Sequence, residues 1–168
     1  MAIPPPPAGW TRYLMKSKFG AGRDFEVTGL DGNKAFFVDG KIGPRPKAEV
    51  RDAHDAVVYH VTGKFLGIPK RMVISDAAGQ DVAQLSAKAF SLIKDKMTLE
   101  VMNGPAWALE GSFIEKNYNV TSEGRPVVQI TQKWVAIRDQ YTIDVAEGID
   151  AGLALAVVWA VDRWVERD

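Results

Sequence analysis

His54 and His60 are the two histidines of the chain, and they are the first side chains to test as metal ligands or proton carriers. A zinc site needs three or four ligands in compact pairs, and the sequence offers neither a cysteine nor a second histidine pair beside these two. "RDAHDA" places His54 in a turn, and "VVYHVT" places His60 in a strand. Paired carboxylates would suit general acid–base work, yet Asp52 and Asp55 have turn spacing. Asp139 and Asp144 are separated by an odd number of residues, which puts them on opposite faces of a strand. "GKIGPRPK" and "TGKFLG" lack the spacing that wraps phosphate, and Gly20-Ala21-Gly22 opens no helix for a dinucleotide. The expectation is a protein without a catalytic residue, metal or cofactor, and not an enzyme.

Binding chemistry is better represented. "GKFLGIPKRM" sets Phe65, Leu66 and Ile68 between Lys64 and the Lys70-Arg71 pair, with Gly67 and Pro69 arguing for a loop. A peripheral lipid contact uses cations that meet phosphate and an apolar wedge that enters the interface. Lys64, Phe65, Leu66, Lys70 and Arg71 are therefore the candidate site for an anionic lipid headgroup or phosphate. The competing use of Phe65 and Leu66 is to cap one end of the fold, with the cations merely solvated. Arg45 and Lys47 in "GPRPKAE" and Lys94 and Lys96 in "IKDKM" are further basic spots, each close to acids or prolines.

The elements that must position these residues follow from composition and periodicity. At 168 residues, 46% hydrophobic and 25% charged, the chain fits one ordinary globular domain. Zero formal net charge excludes a global field toward nucleic acid, and the lack of cysteine fits a reducing cytoplasm. "MAIPPPPAGW" is no secretory signal; residues 1–9 read as a disordered proline-rich lead-in, with a single domain over 10–168.

From Trp10 to about Ala146 the apolar period is two. "DQYTIDVA" sets Tyr141, Ile143 and Val145 against Gln140, Thr142 and Asp144; "KMTLEVM" and "DFEVT" alternate likewise, each with one dry and one wet face. "RYLM", "AFFV", "AEVRD", "VVYHVT", "RMVIS", "AWALEGSF" and "VVQITQKW" continue the series, separated by turn residues such as Asp31-Gly32-Asn33 and Glu123-Gly124. About twelve strands with short connections predict an antiparallel meander that curls into a barrel or splits into a sandwich. Phe25 to Lys41 and Tyr118 to Lys133 share a pattern of aromatic, Val-Thr, glycine turn, apolar strand and lysine. Duplication and the general sameness of hairpins both account for it.

"DAGLALAVVWAVDRW" is different. Its run between Asp150 and Asp162 is far shorter than the roughly 20 residues a bilayer crossing needs. It reads as a helix capped by Asp150. Leu153, Leu155, Val157, Val158, Trp159, Val161 and Trp164 cover nearly the whole circumference, with no wet face before Arg163, Glu166 and Arg167. A helix apolar all round is enclosed on all sides. The architecture that does this is a closed antiparallel barrel with the helix down its axis; a sandwich with the helix at one end is the competitor.

The segment "DQYTIDVAEGIDAGLALAVVWAVDRWVE", after "QKW", resembles the C-terminal signature of the LURP-one-related family, within the tubby C-terminal-like superfamily that includes the phospholipid scramblases. The matching features are Asp139, Tyr141, the Gly148-Ile149-Asp150 turn, the Leu-Ala-rich helix and Asp162. "YLMKSK" followed by "DFEVTGLDGNKAFFVDGK" is similar to the family's opening hairpins. The resemblance implies a mainly β, twelve-stranded barrel around a hydrophobic C-terminal helix. It also brings phosphoinositide recognition by the tubby branch, although those basic positions do not match one by one here. The acidic calcium segment of the scramblases is not reproduced: "EGID" reads as the lead into the helix.

Three roles follow. The first is a binding module recognising an anionic headgroup or a protein partner at the barrel surface, monomeric and cytoplasmic, with contact to the inner face of the membrane. The second is a carrier of a small apolar ligand in the barrel or a scramblase-like lipid-handling protein. The third is a stand-alone enzyme. Leu155 and Trp159 discriminate the first two: if they occupy the lumen, a carried ligand has no room.

Overall fold

The computed structural model describes residues 4–18, 24–64, 71–86, 96–132 and 140–167. Alternating apolar and polar residues build twelve strands: β1 (Thr11–Ser17), β2 (Phe25–Thr28), β3 (Lys34–Lys41), β4 (Lys47–Asp52), β5 (Val57–Lys64), β6 (Arg71–Asp76), β7 (Asp81–Ser86), β8 (Lys96–Val101), β9 (Trp107–Ser112), β10 (Asn117–Ser122), β11 (Arg125–Thr131) and β12 (Gln140–Val145). Each pairs antiparallel with its neighbours in sequence, and β1 closes on β12, so the sheet has no free edge. β7, "DVAQLS", has the weakest sequence signal. Its inward side chains are only Ala83 and Leu85, and it gains strand geometry from pairing with β6 and β8.

The last element is α1 (Ala151–Arg167). Asp150 caps it as expected: its Oδ1 accepts from the backbone N–H of Gly152 at 2.9 Å and of Leu153 at 3.3 Å. Every residue from Ala154 to Asp162 is at most 3% exposed, which is possible only for a helix walled in all round. The barrel is wider than one helix, and α1 lies nearer the wall made by β3 to β6. Small inward residues there, Gly40, Ala48 and Gly63, let it approach. The opposite wall fills the remaining space with Leu99, Leu109, Phe113, Tyr118 and Tyr141, and Phe113 and Tyr118 meet edge to face at 4.9 Å between centroids.

One expected face is corrected. Thr142 and Asp144 of β12, read as wet, are 5% and 2% exposed. Asp144 lies on the outer face of the barrel, opposite Arg12 of β1 in the ladder. Arg12 Nε donates to Asp144 Oδ1 at 2.7 Å and Arg12 Nη2 to Oδ2 at 2.9 Å, while Nη1 donates to the Pro4 carbonyl. A two-pronged pair satisfies both charges, so burial there is tolerated. The hydrogen bond to this carboxylate raises the guanidinium pKa further.

Candidate anion-binding surface

The connections from each even-numbered strand to the next odd-numbered one, together with the lead into α1, face one end of the barrel; all are short, and their only charged side chains are carboxylates. Connections 29–33, 53–56, 77–80, 102–106, 123–124 and 146–150 hold Asp31, Asp55, Glu123, Glu147 and Asp150 and no lysine or arginine. At this end His54 sits in a turn whose Asp52 carboxylate accepts from the backbone N–H of His54 at 2.9 Å and of Ala56 at 3.0 Å. Those backbone donors hold the Asp52 carboxyl below its ordinary range. Asp52, the last residue of β4, thus braces the turn that follows it, while His60 is half-buried in β5, opposite Glu49 and Ser75. No cluster of three or more metal-type ligands occurs among the described residues.

The other end, where the C-terminus of α1 emerges, carries the sequence-expected site in part. Lys64 and Arg71 close the β5–β6 ladder directly opposite each other, both exposed and both on the outer face. Phe65, Leu66, Ile68 and Lys70 lie outside the described residues, as do Lys94 and Asp139. The structure adds two cations that linear sequence left apart. Lys47 of β4 faces Thr62 of β5, two residues from Lys64, and Arg45 precedes it in the β3–β4 connection. Adjacent strands sit about 4.8 Å apart, so Lys47, Lys64 and Arg71 lie within about one physiological Debye length of their nearest neighbour.

Their neighbours do not neutralise them. Lys41 Nζ pairs with Asp39 at 2.6 Å and Glu49 at 3.1 Å, and Arg51 pairs with Glu49 at 2.8 Å. Arg51 first, then Lys41, hold the Glu49 carboxyl below its ordinary range. Lys96 of β8, another expected basic spot, is spent on Glu110 at 3.2 Å. Among the described residues no carboxylate lies within salt-bridge distance of Arg45, Lys47, Lys64 or Arg71. Like charges directly opposite on an antiparallel pair destabilise it, so the Lys64 and Arg71 pairing has no structural benefit.

A second polar cluster closes the barrel mouth from within. Asp162 of α1, 3% exposed, accepts from Lys116 Nζ at 2.6 Å and from Tyr141 Oη at 2.7 Å. Tyr118 Oη is buried nearby without a hydrogen-bond partner. Burial, reinforced by the Asp162 charge, pushes its phenol well up. This cluster holds the helix end; sequence placed Tyr141 on the dry face of its strand and Asp162 at the end of the apolar run, without bringing the two together.

A family profile described as LURP-one-related matches residues 11–162, nearly the whole barrel and helix. The chain belongs to the LURP-one-related family. Within reach of this LURP-one-related chain is the uncharacterized protein YxjI of Bacillus subtilis (strain 168), 18% identical over 138 residues, which cover 71% of this chain and 85% of that protein. A protein from Arabidopsis thaliana, solved by X-ray crystallography, superposes with a TM-score of 0.68 at 16% identity, over 91% of each chain. At that identity the likeness is one of fold: the same closed barrel with its C-terminal helix.

Proposed function

We propose that this LURP-one-related barrel is a non-enzymatic binding module that recognises an anionic, phosphate-bearing group on the outer wall of β4, β5 and β6. The observation that carries the reading is the directly opposed Lys64 and Arg71, with Lys47 beside them and, among the described residues, no carboxylate in salt-bridge range. Uncompensated like charges on neighbouring strands are relieved when an anion arrives, and a phosphate oxygen accepts from ammonium and guanidinium donors together. Leu155 and Trp159 fill the lumen at 0% and 2% exposure, which weighs against a carried apolar ligand. No helix among the described residues is long and apolar enough to cross a membrane, so the reading requires only surface contact.

The test is titration of a soluble inositol phosphate headgroup into wild type and into the triple variant Lys47→Ala, Lys64→Ala, Arg71→Ala, followed by calorimetry. Loss of about three charge-assisted hydrogen bonds is expected to weaken binding at least about tenfold, with wild-type affinity falling as salt rises. Equal titration curves for the two proteins, or no heat for either, would discard the reading.

A further inference from the structure

Four large apolar side chains stand exposed among the described residues: Leu30 at 77%, Ile42 at 80%, Met102 at 47% and Ile114 at 74%. Isolated exposed apolar residues need no explanation, but their charge surroundings differ. Leu30 precedes Asp31 and lies with Met102 at the acidic end, where the connections hold five carboxylates (Asp31, Asp55, Glu123, Glu147, Asp150) and no lysine or arginine. Ile114 is at the opposite end but on the far arc of the rim, next to Glu115 and followed by Lys116, whose charge is spent on Asp162. Of these four, Ile42 is the one that stands beside the cations left without a carboxylate partner among the described residues. It is the first residue of the connection Ile42-Gly43-Pro44-Arg45-Pro46, which leads directly into Lys47.

That connection is held in place rather than left loose. Pro46 is buried, its carbonyl accepts from the Gly63 backbone N–H at 2.8 Å, and its ring lies where a Cβ on Gly63 would be, 2.9 Å away. Two prolines further restrict the backbone. Both ends of the loop are thereby fixed, Lys41 opposite Lys47 in the β3–β4 ladder and Pro46 against β5 next to Lys64, which keeps Ile42 beside the cationic wall. Apolar wedge and cations fixed side by side are the chemistry of an anionic bilayer surface. A free phosphate in solution would use the cations and leave Ile42 in water.

We propose that Ile42 is the wedge by which this barrel docks on an anionic lipid bilayer, tilted so that the β3–β6 arc of the rim faces the membrane. The inference rests on the reading of Lys47, Lys64 and Arg71 as an anion site. The acidic far end of the barrel is repelled by the same surface, which leaves one orientation.

The chain contains no cysteine, so the single variants Ile42→Cys and Ile114→Cys can each carry one environment-sensitive fluorophore. Vesicles of phosphatidylcholine containing phosphatidylserine are expected to blue-shift and brighten the label at position 42 and leave position 114 unchanged. Pure phosphatidylcholine vesicles and the soluble inositol phosphate should move neither. Ile42→Ser should lower partition into the anionic vesicles by about tenfold, as removal of a buried apolar side chain does, without changing headgroup affinity in solution. The inference is overturned if the label at 42 stays in water on bound vesicles, if 42 and 114 respond alike, or if no protein binds the vesicles. Headgroup binding that persists in any of those cases leaves the anion site standing; its loss as well removes both.

Discussion

At the scale of single residues, the groups that matter are those whose hydrogen-bond or charge balance is incomplete. Tyr118 is the clearest internal case: a buried hydroxyl without a partner, close to the Asp162 carboxylate. An unsatisfied buried polar group costs about 1–3 kcal/mol, so Tyr118→Phe is expected to raise stability by about 1 kcal/mol in urea unfolding at neutral pH. The same residue governs alkaline behaviour. Its folded pKa lies above the unfolded value of 10.0, so the folded state holds this proton more tightly. Its contribution is complete below about pH 10 and is lost as pH rises beyond it, at up to about 1.4 kcal/mol per unit. Tyr59, raised by burial and by its 2.5 Å hydrogen bond to Asp150, acts in the same direction. Urea midpoints between pH 9 and 11 should therefore fall less steeply in Tyr118→Phe than in wild type; parallel slopes would show that this phenol does not titrate differently on folding. Arg12 and Asp144 illustrate what residue types alone could not reveal. Alternation assigned Asp144 to water, and only the cross-strand register, which sets Arg12 opposite it, shows why the carboxylate tolerates burial.

Elements impose their own constraints, chiefly where two backbones approach. Gly111 of β9 has φ +138°, and a Cβ there would lie 2.7 Å from the Asn117 carbonyl oxygen and the Tyr118 Cα. Backbone cannot swing aside as a flexible side chain can, and this φ is one that side chains with a Cβ rarely adopt. Gly111→Ala should lower stability by at least about 2 kcal/mol, read as a shift of the urea midpoint; a midpoint within error of wild type would mean that the β9–β10 pair opens freely. The strands with large alternating residues, such as β8 and β12, were legible from their sequence. β7 was not, because Ala83 and Ser86 carry little hydrophobic contrast and its conformation is dictated by the partners on either side. α1 was legible with its cap, since Asp150 and the apolar run that follows specify both start and burial locally.

The whole molecule is a closed sheet that spends its interior on one helix. Trp159 is the largest of the fully enclosed side chains among the described residues, and Trp159→Ala should destabilise by about 3–5 kcal/mol through lost burial and the cavity left behind. A urea midpoint near that of wild type would place the indole outside the core. Charge is also organised at this scale. A formal net charge of zero conceals a molecule whose one end carries carboxylates in its turns and whose other end carries Arg45, Lys47, Lys64 and Arg71 with no carboxylate partner among the described residues. Composition averages over that separation. It comes from the up-and-down topology, which sends alternate connections to opposite ends.

Sequence by itself determined the class of fold, the strand count to within the weakest member, and the cap and burial of the helix; it also singled out Lys64 and Arg71 as candidates. These are local properties: side-chain period, turn chemistry, and a run too apolar to face water and too short to cross a bilayer. Tertiary structure alone decided that Arg45 and Lys47 join Lys64 and Arg71, that Ile42 stands beside them, and that Arg12 neutralises Asp144. Each of those depends on ladder register and barrel closure, which bring together residues 17 to 132 positions apart, a distance over which no periodicity in the chain carries information.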